Sequence, residues 1–469
     1  MAKAHAQPAR GTRDFLPLDV RRRSYVTGII REVFERYGFE PLETPALERL
    51  DALLGKYGDE GDQLLFKVLL RGQPLVEGIR NAAEHIAAAG NLVEGRSGVT
   101  APRAEPLLSD LGLRYDLTVP LARVYAAHQG TLPAVFKRYQ IQPVWRADTP
   151  GKGRFREFFQ CDVDVIGSSS LLVEAEVTGA AAECMQRLGF SEFELRCNHR
   201  ALLRALIEHA GIDPALEGSA ITAIDKLDKI GRDGVGRELR ERGVSAESEQ
   251  TLLGLIGERA ELAHIKHSLA GHEAGSRAIA ELERVLALAQ YTPAAAYLRF
   301  DATLARGLGY YTGCIFEIAV SDFAGSLGGG GRYDNLIGMF LGKQVPACGL
   351  ALGLERLLVV MADRGMYPAE LSQLDVLVAA ADPARADDAL LLAQRLRAAS
   401  VRVDLLPDAT SPGKLRKQAE ARGVAAAAWL EAEQRERCQV WTRADGQTQR
   451  DLTADALIDL ISRTRPRAG

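Results

Sequence analysis

Three arginines carry the residue types and settings from which chemistry would be expected. Arg146 closes an alternating run just before Asp148, Arg306 opens the segment Arg306-Gly307-Leu308-Gly309-Tyr310-Tyr311, and Arg356 stands in Gly353-Leu354-Glu355-Arg356. Each alone is a common surface ion-pair residue. Several converging on one sheet are what chemistry at phosphorus requires. Planar guanidinium forks bind phosphate oxygens two at a time and stay charged as negative charge moves through the transition state. Glycines beside them let a phosphate or a base approach the backbone closely.

Other chemistries find little footing. His264, His267 and His272 fall among Glu, Lys and Ser on a polar helical stretch, which reads as a solvated face, so no protein-held metal is expected. The six cysteines, at 161, 184, 197, 314, 348 and 438, include no C-x-x-C pair. Neither a zinc site nor a disulfide framework is expected, and a reducing compartment fits. No G-x-x-x-x-G-K-[ST] or G-x-S-x-G segment occurs. The glycine run 328–331 lacks the strand-before, helix-after context of a dinucleotide fingerprint and reads equally as a flexible hairpin end.

The elements that must position the arginines follow from periodicity. From Leu113 the pattern has period two: Leu113, Tyr115, Leu117 and Val119 alternate with Arg114, Asp116 and Thr118. A second alternating run, 136–148, puts Arg138, Gln140, Gln142, Arg146 and Asp148 on one side. After a turn at 149–153 a third run, 155–166, sends Phe159, Cys161, Val163 and Val165 one way and Arg156, Gln160, Asp162 and Asp164 the other. Three strands with such polar faces predict an antiparallel sheet carrying a site.

Around this sheet, Pro17 opens a helical pattern through Val20, Val26, Ile29, Ile30, Val33 and Tyr37 that stops at Gly38. Residues 39–45 read as extended. Residues 70–112 read as a poorly ordered loop insertion with one helical stretch, 77–89, because 90–106 are rich in Gly, Ser and Pro. A helix is expected at 172–188, and a helical insertion domain at about 203–296. Strand signals return at 297–302 and 313–320, and 347–361 end in a helix. Beyond Pro368 the order strand 374–379, helix 386–398, strand 401–406, helix 412–422, strand 424–430 predicts a separate βαβαβ domain. The fold class is therefore α+β, an antiparallel sheet flanked by helices, with a core at 1–365 and a C-terminal α/β domain at 372–469.

Composition agrees with this reading. The chain has 469 residues, 47% hydrophobic and 26% charged, with 45 glycines and 19 prolines, which suits an ordinary globular protein of about three domains. The net charge of −4 gives no bulk pull toward nucleic acid, so a polyanion would have to be met by a local patch. From Ser372 onward 15 basic residues face 14 acidic ones, whereas the remainder has 43 against 48. No run approaches the ~18 apolar residues of a membrane span, and Met1 to Thr12 lack a signal-peptide core; no membrane partner and a cytoplasmic location are expected.

These motifs together resemble the class II aminoacyl-tRNA synthetases, and among them the histidyl-tRNA synthetase family. Gly11-Thr12-Arg13-Asp14 and Tyr37-Gly38-Phe39 with Thr44-Pro45 resemble that family's opening and motif 1. Residues 144–148 with 154–158 resemble motif 2, and 349–356 motif 3. Arg306 to Tyr311 and Gly330-Gly331-Arg332-Tyr333-Asp334 resemble the histidine-specific segments, and the trailing domain resembles the class IIa anticodon-binding module. By this resemblance Asp116, Thr118 and Gln160 hold the substrate's α-amino group, with Arg114 nearby. Asp164 and Tyr311 read the imidazole, and Tyr310 and Tyr333 complete the histidine pocket. Arg146 and Arg356 grip ATP, Asp148 assists with the nucleotide or its Mg²⁺, and Arg306 stabilises the α-phosphorus.

The resemblance implies a ligase that activates L-histidine with ATP, releases pyrophosphate and transfers histidine to the 3′ end of tRNA(His). ATP with Mg²⁺ is the implied cosubstrate, with no prosthetic group and no zinc, and a homodimer is the implied assembly. Lys414, Arg416 and Lys417 are the expected tRNA contacts. The alternative is an inactive synthetase-like regulatory subunit of ATP phosphoribosyltransferase. Such proteins usually lack the trailing domain and lose the arginines, and here both are present. One departure is Gly309, where the family usually carries an acid.

Overall fold

The computed structural model describes residues 6–88, 105–257, 260–305, 309–368, 371, 374–431, 437–444 and 446–464. Contacts divide the chain into two units, Met1–Asp14 with Arg23–Met366, and Phe15–Arg22 with Tyr367–Gly469.

In chain order the strands of the first unit are β1 (Glu40–Pro41), β2 (Leu47–Arg49), β3 (Lys67–Leu69), β4 (Ser109–Leu113), β5 (Phe136–Trp145) and β6 (Glu157–Ile166). They continue with β7 (Glu194–His199), β8 (Leu298–Phe300), β9 (Cys314–Ala319), β10 (Gly328–Arg332) and β11 (Ala347–Gly353). Eight of them form one sheet in the order β1-β5-β6-β11-β10-β9-β7-β8. The two outermost pairs, β1 with β5 and β7 with β8, are parallel. The pairs between them are antiparallel.

The alternation expected for the second and third runs is realised. Cys161, Val163 and Val165 of β6 and Leu350 and Leu352 of β11 are buried on the apolar side. The helices Leu172–Arg187 and Leu354–Asp363 pack there. Each such Val or Leu contributes roughly 1.5–3 kcal/mol by leaving water. The helix Pro17–Arg36 buries Val26, Ile30, Val33 and Phe34, one face of a 3.6-residue period, and Gly38 at φ +76 supplies the left-handed stop. Val20, expected on the same face, is exposed.

Three expectations are corrected. The insertion at 70–112 carries the expected helical stretch, observed as Gln73–Ala88, but its end is not loop: β4 is the centre of a small sheet ordered β2-β4-β3. Good helix formers fill this stretch, and Gly78 lets it run against its neighbour, since a Cβ there would lie 2.3 Å from the Leu107 carbonyl oxygen. Residues 89–104 lie outside the described residues. The period-two run from Leu113 is not one strand either. β4 ends at Leu113 and the helix Thr118–His128 begins five residues later, because the Asp116 carboxylate accepts the Val119 N–H at 3.0 Å and caps the first turn. Finally, the glycine run is no hairpin end but β10, the strand between β9 and β11. A Cβ at Gly330 would fall 1.9 Å from the Gly349 carbonyl oxygen, so close strand packing demands glycine there.

Among the described residues the helical insertion comprises six α-helices from Arg200–His209 to Glu273–Ala289. His272 caps the last of these, accepting the Gly275 N–H at 3.1 Å while its other nitrogen meets Glu208 at 3.0 Å.

The second unit has β12 (Val376–Ala380), β13 (Val403–Leu405), β14 (Ala426–Leu430), β15 (Cys438–Thr442) and β16 (Thr448–Leu452), ordered β13-β12-β14-β15-β16. The first three strands are parallel and follow the expected βαβαβ order. Two antiparallel strands and the helix Ala454–Thr464 extend it beyond that expectation. Val376 and Val378 pack with Leu392, Leu396 and Leu457, while Leu377 and Ala379 pack with Leu415 and Trp441. Apolar cover on both faces explains why β12 is continuously apolar. Among the described residues no helix is long and apolar enough to cross a membrane.

Candidate active site

The polar face of the large sheet is built from β5, β6 and β11. Register sets Arg138 opposite Asp164, Gln140 opposite Asp162 and Gln142 opposite Gln160. Gly349, Ala351 and Gly353 continue the same rows on β11. This face is closed from bulk water: Gln160, Asp162 and Asp164 are all buried, and Arg138 is 0% exposed. Gly349 makes room for the carboxylate beside it, since a Cβ there would lie 1.9 Å from Asp164 Oδ1.

Most of the pocket's polar atoms are tied to one another. Arg138 Nη2 lies 2.9 Å from Asp164 and 4.0 Å from Asp162. The Tyr333 hydroxyl donates to Asp164 Oδ1, and Gln160 Nε2 donates to Asp162 Oδ1 at 3.3 Å. Above them the Tyr57 hydroxyl donates to Asp116 Oδ1 at 3.1 Å. The Tyr310 ring stands 4.9 Å from Tyr311 and 6.1 Å from Tyr333, and its hydroxyl hydrogen-bonds Thr118. The structure thus gathers Asp116, Thr118, Gln160, Asp164, Tyr310, Tyr311 and Tyr333 around one face. Asp116 and Thr118 reach it from a helix cap and a helix start rather than from a shared strand face.

Burial dominates the electrostatics. It pushes the carboxyls of Asp116, Asp162 and Asp164 upward. Arg138 opposes the rise at Asp162 and Asp164, whereas the neighbouring Asp164 and Asp116 add to it at Asp162. Among the described residues Asp116 Oδ2, Gln160 Oε1 and Gln140 Oε1 are buried without a hydrogen-bond partner. These three acceptors suit N–H donors such as those of an α-ammonium group, while Arg138 Nε and Nη1, on the same face, are donors without a partner.

The arginines divide. Arg146 Nε donates to the Tyr115 carbonyl at 3.0 Å, and its guanidinium lies 4.2 Å from the Tyr115 ring centroid and 5.2 Å from that of Phe158. That hydrogen bond uses one of its five N–H donors. Arg356 Nη1 donates to the Ser326 carbonyl at 2.6 Å and Nε to that of Gly153 at 3.4 Å, which seats it against the 149–153 turn. Arg306 lies outside the described residues. Gly309 is exposed, and a Cβ there would meet nothing within 4 Å.

Two of the expected site residues have protein partners of their own. Asp148 pairs with the half-exposed Arg154 at 2.7 Å, and its carbonyl accepts from Arg156 at 3.1 Å, which ties it to the hairpin. Arg114 donates to the carbonyls of Pro143 and Thr44 and to Gln142, which makes it a strut at the sheet edge. Sequence reasoning missed Arg138, Asp162 and Tyr57 as site residues. Parity had put Arg138 and Asp162 on the polar faces, but only the register shows them paired.

The family model described as histidyl-tRNA synthetase matches residues 108–357. The chain belongs to the histidyl-tRNA synthetase family. It is 41% identical over 423 residues to the histidine–tRNA ligase of Christiangramia forsetii, covering 88% of this chain and 90% of that one. It is 42% identical over 420 residues to the histidine–tRNA ligase of Gloeobacter violaceus, covering 84% of each. The crystal structure of histidyl-tRNA synthetase from a Nostoc species superposes with a TM-score of 0.76 at 27% identity, over 99% of this chain and 100% of that one.

Proposed function

We propose that the protein is a class II histidine–tRNA ligase whose reaction takes place on the polar face of β5, β6 and β11. The histidine carboxylate attacks the α-phosphorus of ATP, pyrophosphate leaves, and histidyl-adenylate forms. The 3′-terminal ribose hydroxyl of tRNA(His) then attacks the activated carbonyl. The first step needs little acid–base help, because its nucleophile is already an anion; positioning and charge stabilisation carry it.

The observation that carries this reading is the buried acceptor face. Asp116 Oδ2 and Gln160 Oε1 have no partner among the described residues and suit the α-ammonium group. Thr118, bound to the Tyr310 hydroxyl, lies beside them. Asp164, with Tyr310, Tyr311 and Tyr333 around it, suits the imidazole, whose two nitrogens donate and accept. Arg146 and Arg356 take ATP phosphates, and Arg306 the α-phosphorus. Mg²⁺ would accompany the triphosphate, and Asp148, which stands beside Arg154, would assist with the nucleotide or its metal.

The core at 1–365 performs the chemistry and 372–469 meets the tRNA, through Lys414, Arg416 and Lys417, which are exposed on the helix Pro412–Ala421. The enzyme works as a homodimer, on the motif 1 resemblance of 37–45. A cytoplasmic location fits six cysteines that are all free and buried.

Amino-acid-dependent ATP–pyrophosphate exchange across the twenty amino acids tests the reading. Exchange with histidine alone supports it, and exchange with another amino acid or with none refutes it. In the same assay Arg306→Ala should lose roughly 10²-fold or more, by analogy with removing an oxyanion donor. Histidine binding should weaken far less.

A further inference from the structure

Arg138 has no role in the reading above, yet it is the most deeply enclosed charge on the site face. Its guanidinium is 0% exposed and sits 2.9 Å from Asp164 Oδ2, 4.0 Å from Asp162 Oδ2 and 3.3 Å from the Leu117 carbonyl. Its Nε and Nη1 have no hydrogen-bond partner among the described residues. A buried arginine without a task costs stability, so a role is to be sought in what it faces.

We propose that Arg138 is a specificity-determining positioning residue that makes the pocket accept histidine with a neutral imidazole and reject the imidazolium form. The inference rests on the reading that the Asp164 end of the face holds the ring. One guanidinium stands within reach of two carboxyls and grips Asp164 directly. Asp164 is thereby held as a charge-balanced acceptor, with its other oxygen fixed by the Tyr333 hydroxyl. A ring N–H entering there meets an oriented acceptor and no net negative charge. A second proton on the ring would bring a positive charge up to Arg138.

The surrounding groups agree. From β6, Asp162 is crowded by Asp164 and Asp116, and burial raises both β6 carboxyls, but the Arg138 guanidinium is 2.9 Å from Asp164 and 4.0 Å from Asp162. Asp116, before the helix Thr118–His128, is turned toward Tyr57 and the Val119 N–H. Arg146 at the end of β5 acts on Asp116 and Asp162, Cys348 of β11 lies near Asp164, and burial keeps Tyr310 and Tyr333 as neutral phenols. At the ring end Arg138 is therefore paired with the nearer carboxylate, Asp164, and the proposal takes these as the one cation and one anion there.

The test compares histidine with an analogue that has a triazole in place of the imidazole, whose ring stays neutral throughout. KM for each is measured by pyrophosphate exchange, and Kd by calorimetry, on the full-length protein. Dividing the histidine value by the analogue value cancels titration of the protein. Between about pH 7.5 and about pH 5.5 the ratio should rise about tenfold, because the neutral fraction of a ring with pKa ~6.5 falls by that factor. A flat or falling ratio overturns the proposal. Arg138→Gln should lose most of the rise and Arg138→Lys should keep it. A full rise in the first or a lost rise in the second also overturns it. Asp162→Asn should leave the ratio as it is, and a changed ratio there refutes the charge assignment. If Arg138→Gln does not fold, the unmodified protein and the lysine variant decide. Failure of histidine-dependent exchange near neutral pH would count against the underlying reading instead.

Discussion

Arg332 and Glu174 form a two-pronged ion pair in the interior of the first unit, with Nε–Oε1 at 2.6 Å and Nη2–Oε2 at 2.8 Å. Glu174 is 0% exposed and Arg332 5%. The pair ties the end of β10 to the helix Leu172–Arg187, and the next residue, Tyr333, reaches Asp164 from that anchor. Asp334 secures the other side, accepting from the Ala347 N–H at 3.1 Å and from Arg332 at 3.3 Å. The side of the proposed imidazole pocket formed by Tyr333 and Asp164 is therefore positioned by a buried salt bridge behind it.

Removing one partner should be costly. Glu174→Gln leaves the guanidinium without its counter-charge and is expected to destabilise the protein by about 3–5 kcal/mol. KM for histidine should rise as Tyr333 loses its anchor. Urea unfolding followed by exchange kinetics reads both effects. A variant within about 1 kcal/mol of the parent would show that the pair has little structural weight, since that is the range of an exposed ion pair.

Specificity is tested at the ring contacts. Asp164→Ala and Tyr311→Phe each remove a polar partner proposed for the imidazole, so both should raise KM for histidine more than KM for ATP. Equal changes for the two substrates would place these side chains elsewhere in the site. Gly309→Asp restores the residue usual in the family at an exposed position where a Cβ meets nothing, so activity should stay level or increase. A large loss would show that the pocket has adapted to glycine.

Glu355 predicts a pH effect on stability. Burial raises its carboxyl to about 7, although the Phe159 N–H donates to Oε2 at 2.8 Å and Arg13 and Arg23 lie near. Between the unfolded value of about 4.5 and the folded value of about 7, the native state holds a proton that the unfolded chain has released. Stability from this group is thus full below about pH 4.5 and is lost as pH rises toward 7. Glu355→Gln keeps the acceptor and removes the titration. The parent should therefore lose roughly 3 kcal/mol relative to the variant across that window, at 1.36 kcal/mol per pKa unit. A pH-independent difference in unfolding free energy would show that Glu355 titrates normally.

What the sequence made legible follows from period. β5 and β6 were readable because Gln160, Asp162 and Asp164 alternate with Cys161, Val163 and Val165, and a period of two admits one arrangement of faces. The stretch from Leu113 has the same alternation, but Asp116 caps a helix, and a run of that length does not separate a strand from a turn that opens a helix. Arg138 escaped notice for another reason: its burial follows from the pairing with Asp164, which is set by the hairpin register and not by its neighbours in sequence. The glycines of β10 misled because crowding by the Gly349 carbonyl leaves no local mark. In the trailing domain β12 and β14 are visible as continuous apolar runs, and β13 as an alternation of Val401, Val403 and Leu405 with Arg402 and Asp404. β15 and β16 are each five residues long and lie among charged residues, which weakens the pattern.

The last prediction concerns tRNA. Lys414, Arg416 and Lys417 lie on the exposed side of the helix Pro412–Ala421, whose Leu415 and Ala419 face the core. Arg416 is engaged already: it pairs with Glu420 at 2.9 Å, and its guanidinium lies 5.2 Å from the Trp441 ring centroid. Part of its charge is therefore neutralised before any nucleic acid arrives, whereas no ion pair is observed for Lys414 or Lys417 among the described residues. If these residues bind phosphates, replacing all three by alanine should weaken tRNA binding and flatten its dependence on salt. The slope of log K against log salt should shrink by about 0.9 for each duplex phosphate that is no longer neutralised, and by about 0.7 for each single-stranded one. The two lysines together should account for most of that change. Histidine-dependent exchange, which involves no tRNA, should persist in the same variant. An unchanged salt slope with a correctly folded protein would remove this helix from the tRNA-binding surface.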